Sequence, residues 1–133
     1  MATASILVIE DDPYISDLIG LYLRREGFRF AVAHDGEDGI EQFAAQPPDL
    51  VILDLMLPRC DGWSVCRRIR AVRDTPIIIL TGKGESYDKL KGFELGADDY
   101  VTKPFAYTEL KLRIAAVLRR ARARANRGRM RIG

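Results

Sequence analysis

Histidine occurs once, at His34, and cysteine twice, at Cys60 and Cys66. Two thiols outside a CxxC spacing cannot staple a small scaffold, and with a single histidine they do not make a zinc site. Both are read as reduced thiols of the fold. No GxxxxGK[ST] loop is present, so ATP binding of the P-loop kind is excluded. No apolar run approaches the roughly 20 residues of a membrane helix. The opening Met1-Ala2-Thr3-Ala4-Ser5 lacks the charged head and apolar middle of a signal peptide. Cytoplasm is therefore the expected compartment, with no membrane partner.

Acid is also missing from residues 119–133, which hold seven arginines at 119, 120, 122, 124, 127, 129 and 131. The first 118 residues carry the other 14 Lys and Arg against all 19 Asp and Glu, a net of −5. A mildly acidic body thus ends in a strongly basic tail, read as a solvated linker or helix end. At 133 residues, 47% hydrophobic and 30% charged, the chain suits one soluble domain with a real core.

What is there alternates between two periods. Short β-like runs fall at Ser5–Ile9, Phe28–Ala33, Leu50–Leu53, Pro76–Leu80 and Tyr100–Val101. The first, third and fourth are apolar almost throughout, as in strands covered on both faces of a parallel sheet. Between them the period becomes helical. Ile15, Leu18, Ile19 and Tyr22 share one face, with Asp12 as cap, Pro13 in the first turn and Gly27 at the end. Further helices are predicted over Asp35–Gln46, Trp63–Val72, Glu85–Leu95 and Tyr107 to about Arg124. Five βα units with short connections predict an α/β doubly wound sheet, whose ligands bind outside the carboxyl ends of the strands.

Chemistry-bearing residues collect at those ends. Glu10-Asp11-Asp12 follows the first run, Asp54 the third, Thr81 the fourth and Lys103 the fifth. Carboxylates brought within about 4 Å repel by about 4 kcal/mol per pair at an effective dielectric of 20. A hard divalent cation relieves this, and an all-oxygen donor set points to Mg²⁺. Such a site has room for a phosphoryl oxygen, which the Lys103 ammonium and the Thr81 hydroxyl can meet while Asp54 acts as nucleophile. His34 is expected at the surface and no phosphodonor, so the donor is another molecule.

The chain resembles the receiver domain of two-component response regulators. The resemblance is carried by Ile6-Leu7-Val8-Ile9-Glu10-Asp11-Asp12, Leu53-Asp54-Leu55-Met56-Leu57-Pro58 with Asp61-Gly62, Ile79-Leu80-Thr81, and Gly96 to Phe105 around Lys103-Pro104. It is narrower for the subfamily whose receivers precede a winged-helix DNA-binding domain. It implies a flavodoxin-like (βα)5 domain over 1–120, strand order 2-1-3-4-5, with 121–133 a basic linker toward a DNA-binding domain. The fragment Met130-Arg131-Ile132-Gly133 is similar to the first strand of such a domain.

By position, the resemblance makes Asp54 the phosphoacceptor from a sensor histidine kinase. Asp11 becomes the direct Mg²⁺ carboxylate, Glu10 a ligand through water, and the Met56 backbone carbonyl a further ligand. Thr81 and Lys103 contact the phosphoryl group, Tyr100 is the switch ring, and the Lys103-Pro104 bond is cis. Phosphorylation then favours a homodimer through the predicted fourth helix, the fifth strand and the last helix. The charges available there are Lys89, Lys91, Glu94, Asp98, Asp99, Glu109, Arg113 and Arg120. The expected role is a switch controlling transcription, not an enzyme.

Three alternatives differ in kind. A stand-alone receiver would lack DNA-binding output. An aspartyl-nucleophile phosphatase needs a second acid two residues after the nucleophile, where Met56 stands. A flavin-binding flavodoxin-like protein needs a phosphate-cradling loop after the first strand, where three acids stand.

Overall fold

Five parallel strands, β1 (Ser5–Ile9), β2 (Arg29–Ala33), β3 (Leu50–Asp54), β4 (Ile77–Thr81) and β5 (Asp99–Thr102), lie in the order β2-β1-β3-β4-β5. This computed structural model describes residues 3–57, 61–82 and 96–132, with side chains as far as 126. The order is the doubly wound one expected, with its reversal at β1 and β3. Every residue of β3 and β4 is buried, which explains why those runs carry no polar residue before their last position.

Side-chain alternation divides the core into two layers. Leu7, Ile9, Val51, Leu53, Ile77 and Ile79 pack toward Phe43 of α2 (Gly36–Ala45) and Val65, Cys66 and Ile69 of α3 (Gly62–Arg70). Ile6, Val8, Leu50, Ile52, Ile78 and Leu80 pack on the other face. There they meet Ile19 and Leu23 of α1 (Pro13–Arg25) and Leu110, Ile114, Val117 and Leu118 of α4 (Tyr107–Ile132).

The helix signals read from sequence act as expected at their ends. The Asp12 carboxylate accepts from the Tyr14 amide at 2.9 Å, capping α1 with Pro13 in the first turn. Gly27 follows α1 at φ +82°, the left-handed conformation that favours glycine. Boundaries differ by small amounts. β2 starts at Arg29, β5 gains Asp99 and Thr102, and α3 runs Gly62–Arg70.

The larger difference is at the end of the chain. α4 continues as helix past Arg124 to Ile132, where the opening of a strand was expected from Met130. Alanine and arginine are both strong helix formers, and a helical stretch is compatible with a linker. The predicted helix over 85–95 lies outside the described residues, and with it Lys89, Lys91 and Glu94.

Candidate functional site

Strand register builds the site. Ile9 of β1 pairs with Leu53, so the next residues, Glu10 and Asp54, emerge side by side. Asp54 pairs with Leu80, which puts Thr81 one step beyond it, and Thr81 pairs with Thr102, the residue before Lys103. Four strands thus deliver acid, acid, hydroxyl and ammonium to one rim. The Lys103 amide also donates to the Thr81 carbonyl at 2.7 Å, locking the β4–β5 edge of the cleft. The Lys103-Pro104 bond is cis.

Glu10, Asp54 and Thr81 are 0%, 3% and 1% exposed. Asp11 is exposed, and one carboxylate oxygen of each of Glu10, Asp11 and Asp54 lies within 4.8 Å of the others. The Lys103 ammonium sits 3.0 Å from Glu10 Oε1 and 3.3 Å from Asp54 Oδ2, bridging the two buried acids. Asp54 Oδ1 accepts from the Met56 amide at 3.1 Å, and Glu10 Oε2 from the Asp12 amide at 3.2 Å.

Burial and the neighbouring Asp54 push the Glu10 carboxyl up from 4.5 to about 7, against the opposing pull of Lys103. For Lys103 burial alone would lower the ammonium, but Glu10 and Asp54 outweigh it and hold it above its usual range. Both effects express one imbalance, since three carboxylates face a single ammonium. The donors are hard oxygens from carboxylates, with the exposed Asp11 on the open side, which suits a small divalent cation. The residues present fit Mg²⁺.

The loop after β3 is shaped by Gly62. A Cβ there would fall 2.7 Å from the Asp54 carbonyl oxygen and 2.7 Å from Leu55 Cα, so only glycine lets α3 start this close. Asp61 caps that helix, accepting from the Ser64 amide at 2.9 Å. Met56 exposes its side chain beside the cleft. Tyr100 is buried in the layer that holds Ile77 and Ile79, the side of β4 to which Thr81 belongs by alternation. His34 is exposed at the rim, its Nδ1 3.2 Å from the Glu10 carbonyl.

Among the described charges expected at a dimer surface, Asp98, Asp99 and Arg113 are engaged within the chain. Arg113 Nη1 meets both oxygens of Asp99, at 2.9 and 3.1 Å. Asp98 Oδ2 accepts from Arg70 at 3.0 Å and from the Ile77 amide at 2.8 Å. Glu109 and Arg120 are exposed. Sequence reasoning missed Arg70, whose guanidinium also donates to the carbonyls of Gly96 and Thr75. Its only signal is an arginine four residues after Cys66, on the buried side of α3.

An acid-lined cleft at the carboxyl ends of a doubly wound parallel sheet, with a lysine across two of its acids, defines the receiver class of α/β domains. The chain belongs to the response regulator receiver domain family, which matches residues 6–115. It is 47% identical over 116 residues to the response regulator ArlR of Staphylococcus epidermidis, covering 87% of this chain and 53% of ArlR. It therefore spans about half the length of the curated relatives it matches. Among solved structures, a response regulator from Chloroflexus aurantiacus superposes with TM-score 0.84 at 35% identity, over 88% of this chain and 98% of that one. The receiver domain of the sensor histidine kinase PA1611 from Pseudomonas aeruginosa, solved with magnesium in its active-site cleft, gives 0.81 at 33%, over 88% and 98%. The chain is thus the receiver domain of a two-component response regulator. No described helix is long and apolar enough to cross a membrane.

Proposed function

We propose that this receiver accepts a phosphoryl group on Asp54 from a partner histidine kinase. A carboxylate oxygen of Asp54 attacks phosphorus, the bond from phosphorus to the donor nitrogen breaks with its electron pair leaving on the imidazole, and an acyl phosphate forms. Glu10, Asp11, Asp54 and the Met56 carbonyl would hold Mg²⁺, which supplies charge neutralisation at the phosphoryl oxygens. The magnesium in the similar PA1611 cleft supports that assignment. Lys103 transfers its ammonium from Asp54 to a phosphoryl oxygen, and the Thr81 hydroxyl donates to another. The observation carrying this reading is the Lys103 ammonium shared by two buried carboxylates, a lysine already delivered to the acceptor.

The group's arrival draws Thr81 inward, Tyr100 follows, and the surface of β5 and α4 with the segment 85–95 turns to dimer formation. Asp98, Asp99 and Arg113 would exchange their internal partners for a second copy's. Residues 121–132 would connect the receiver to a DNA-binding domain that controls transcription in the cytoplasm. The chain itself is a stoichiometric switch and not an enzyme. Acetyl phosphate with Mg²⁺ tests the reading. One phosphoryl group per chain is expected, while catalytic release of phosphate would indicate a phosphatase and no labelling would overturn both.

A further inference from the structure

Serving as a connector does not explain the charge at the arginine-rich end of α4. Among the described side chains Leu118 is the last buried one of that helix, and beyond it Arg119, Arg120, Arg122 and Arg124 are all exposed. The helix nevertheless continues to Ile132 with no acid after Leu118. At 1.5 Å per residue this is about 20 Å of helix carrying seven positive charges. Among the described residues its contacts with the body are slight. Arg124 lies 3.7 Å from Asp98 Oδ1, and Arg120 donates to the Asp98 carbonyl at 3.5 Å.

Helical register sorts the arginines onto two sides. Positions 120, 124, 127 and 131 fall within about 60° of one another, and 119, 122 and 129 within about 80° on the opposite side. The strip between them is Ala121, Ala125, Gly128 and Ile132. We infer that this helix is a sequence-independent binding surface for duplex nucleic acid, gripping phosphates from both of its basic sides.

Three features choose that partner. All seven cations are arginine and none is lysine, which suits forked contact with phosphate oxygens. An anionic bilayer would need bulky apolar residues along one face, and here the strip between the arginines has two alanines and a glycine with only one bulky residue, Ile132. The acidic body of another copy offers only a net −5 spread over 118 residues, whereas a duplex presents a charge about every 1.7 Å. The surface belongs to this chain and does not depend on a downstream DNA-binding domain.

Fluorescence anisotropy of the whole 133-residue chain with a random-sequence duplex of about 20 base pairs tests this. With about four phosphates engaged, affinity should fall about 100-fold between about 50 and 200 mM salt. The variant Arg119→Gln/Arg122→Gln/Arg127→Gln/Arg129→Gln keeps both contacts to Asp98. It should lose most of the affinity and flatten the salt slope, with unchanged helical circular dichroism and unchanged labelling by acetyl phosphate. The inference is overturned by undetectable binding at about 50 mM salt, or by a variant that binds as well as the parent. It is equally overturned if vesicles of anionic lipid bind more tightly than the duplex, or if the arginines prove to drive self-association in its place.

Discussion

Lys103 is the residue on which the balance of charge at the cleft turns. Its single ammonium stands between Glu10 and Asp54 while Asp11 adds a third carboxylate at the open side. Removing one acid therefore relieves more repulsion than it loses attraction. Asp54→Asn should stabilise the metal-free protein by about 1–2 kcal/mol, well below the raw Coulomb figure because water screens the open side. Thermal melts in EDTA should show the rise, and the further gain on adding Mg²⁺ should shrink. Cys66 makes a second case at this scale. Burial pushes its thiol above the usual range, with Arg70 and Arg67 opposing and Asp98 assisting. The folded state holds that proton more tightly, so its stabilising contribution is whole below the ordinary thiol range and is lost as pH rises above it. In a Cys60→Ser background, Cys66 should react with a disulfide reagent near pH 8 only at the rate of unfolding. Rapid reaction of the native protein would contradict its placement. These roles differ in how visible they were beforehand. Glu10, Asp54, Thr81 and Lys103 announce themselves because polar groups ending apolar runs have no packing reason to be there. Arg70 does not, since an arginine on a helix reads as surface until its carbonyl partners are seen.

Elements join where such partners meet. Arg70 ties the end of α3 to the carbonyls of Thr75 and Gly96 and to Asp98, so it fixes the entries to β4 and β5 together. Arg70→Ala leaves Asp98 and these carbonyls short of a donor in a mostly buried place. It should cost about 2–3 kcal/mol in urea unfolding, and Arg70→Lys should recover less than half, because an ammonium lacks the planar fork. The strands were legible because burial on both faces leaves an uninterrupted apolar run. The caps Asp12 and Asp61 sit where short polar side chains find free amides. The end of α4 was not legible. An arginine block has no apolar period to mark where a helix stops, and only backbone continuity past Arg124 shows how far it runs. For Asp98 and Asp99 sequence shows the charge but not the internal partners, Arg70 and Arg113, that each meets.

At the scale of the whole molecule, a switch works only if the phosphoryl group contacts the two states differently. In the proposed switch Thr81 and Lys103 would supply that difference, and Tyr100 of β5, buried with Ile77 and Ile79, would carry it outward. A beryllofluoride mimic with Mg²⁺ should raise the dimer fraction in sedimentation velocity, and Asp99→Ala should reduce the gain. An unchanged monomer would separate phosphoryl binding from the proposed output surface. The proposed function puts acceptance of the group itself on one carboxylate, Asp54.

That claim is tested most directly by mapping the phosphoryl label after acetyl phosphate treatment, with Mg²⁺ and with EDTA, in the parent chain and in Asp54→Ala. One label is expected, on Asp54, present only with Mg²⁺ and absent from the variant. A label on another residue, or equal labelling in EDTA, would contradict it.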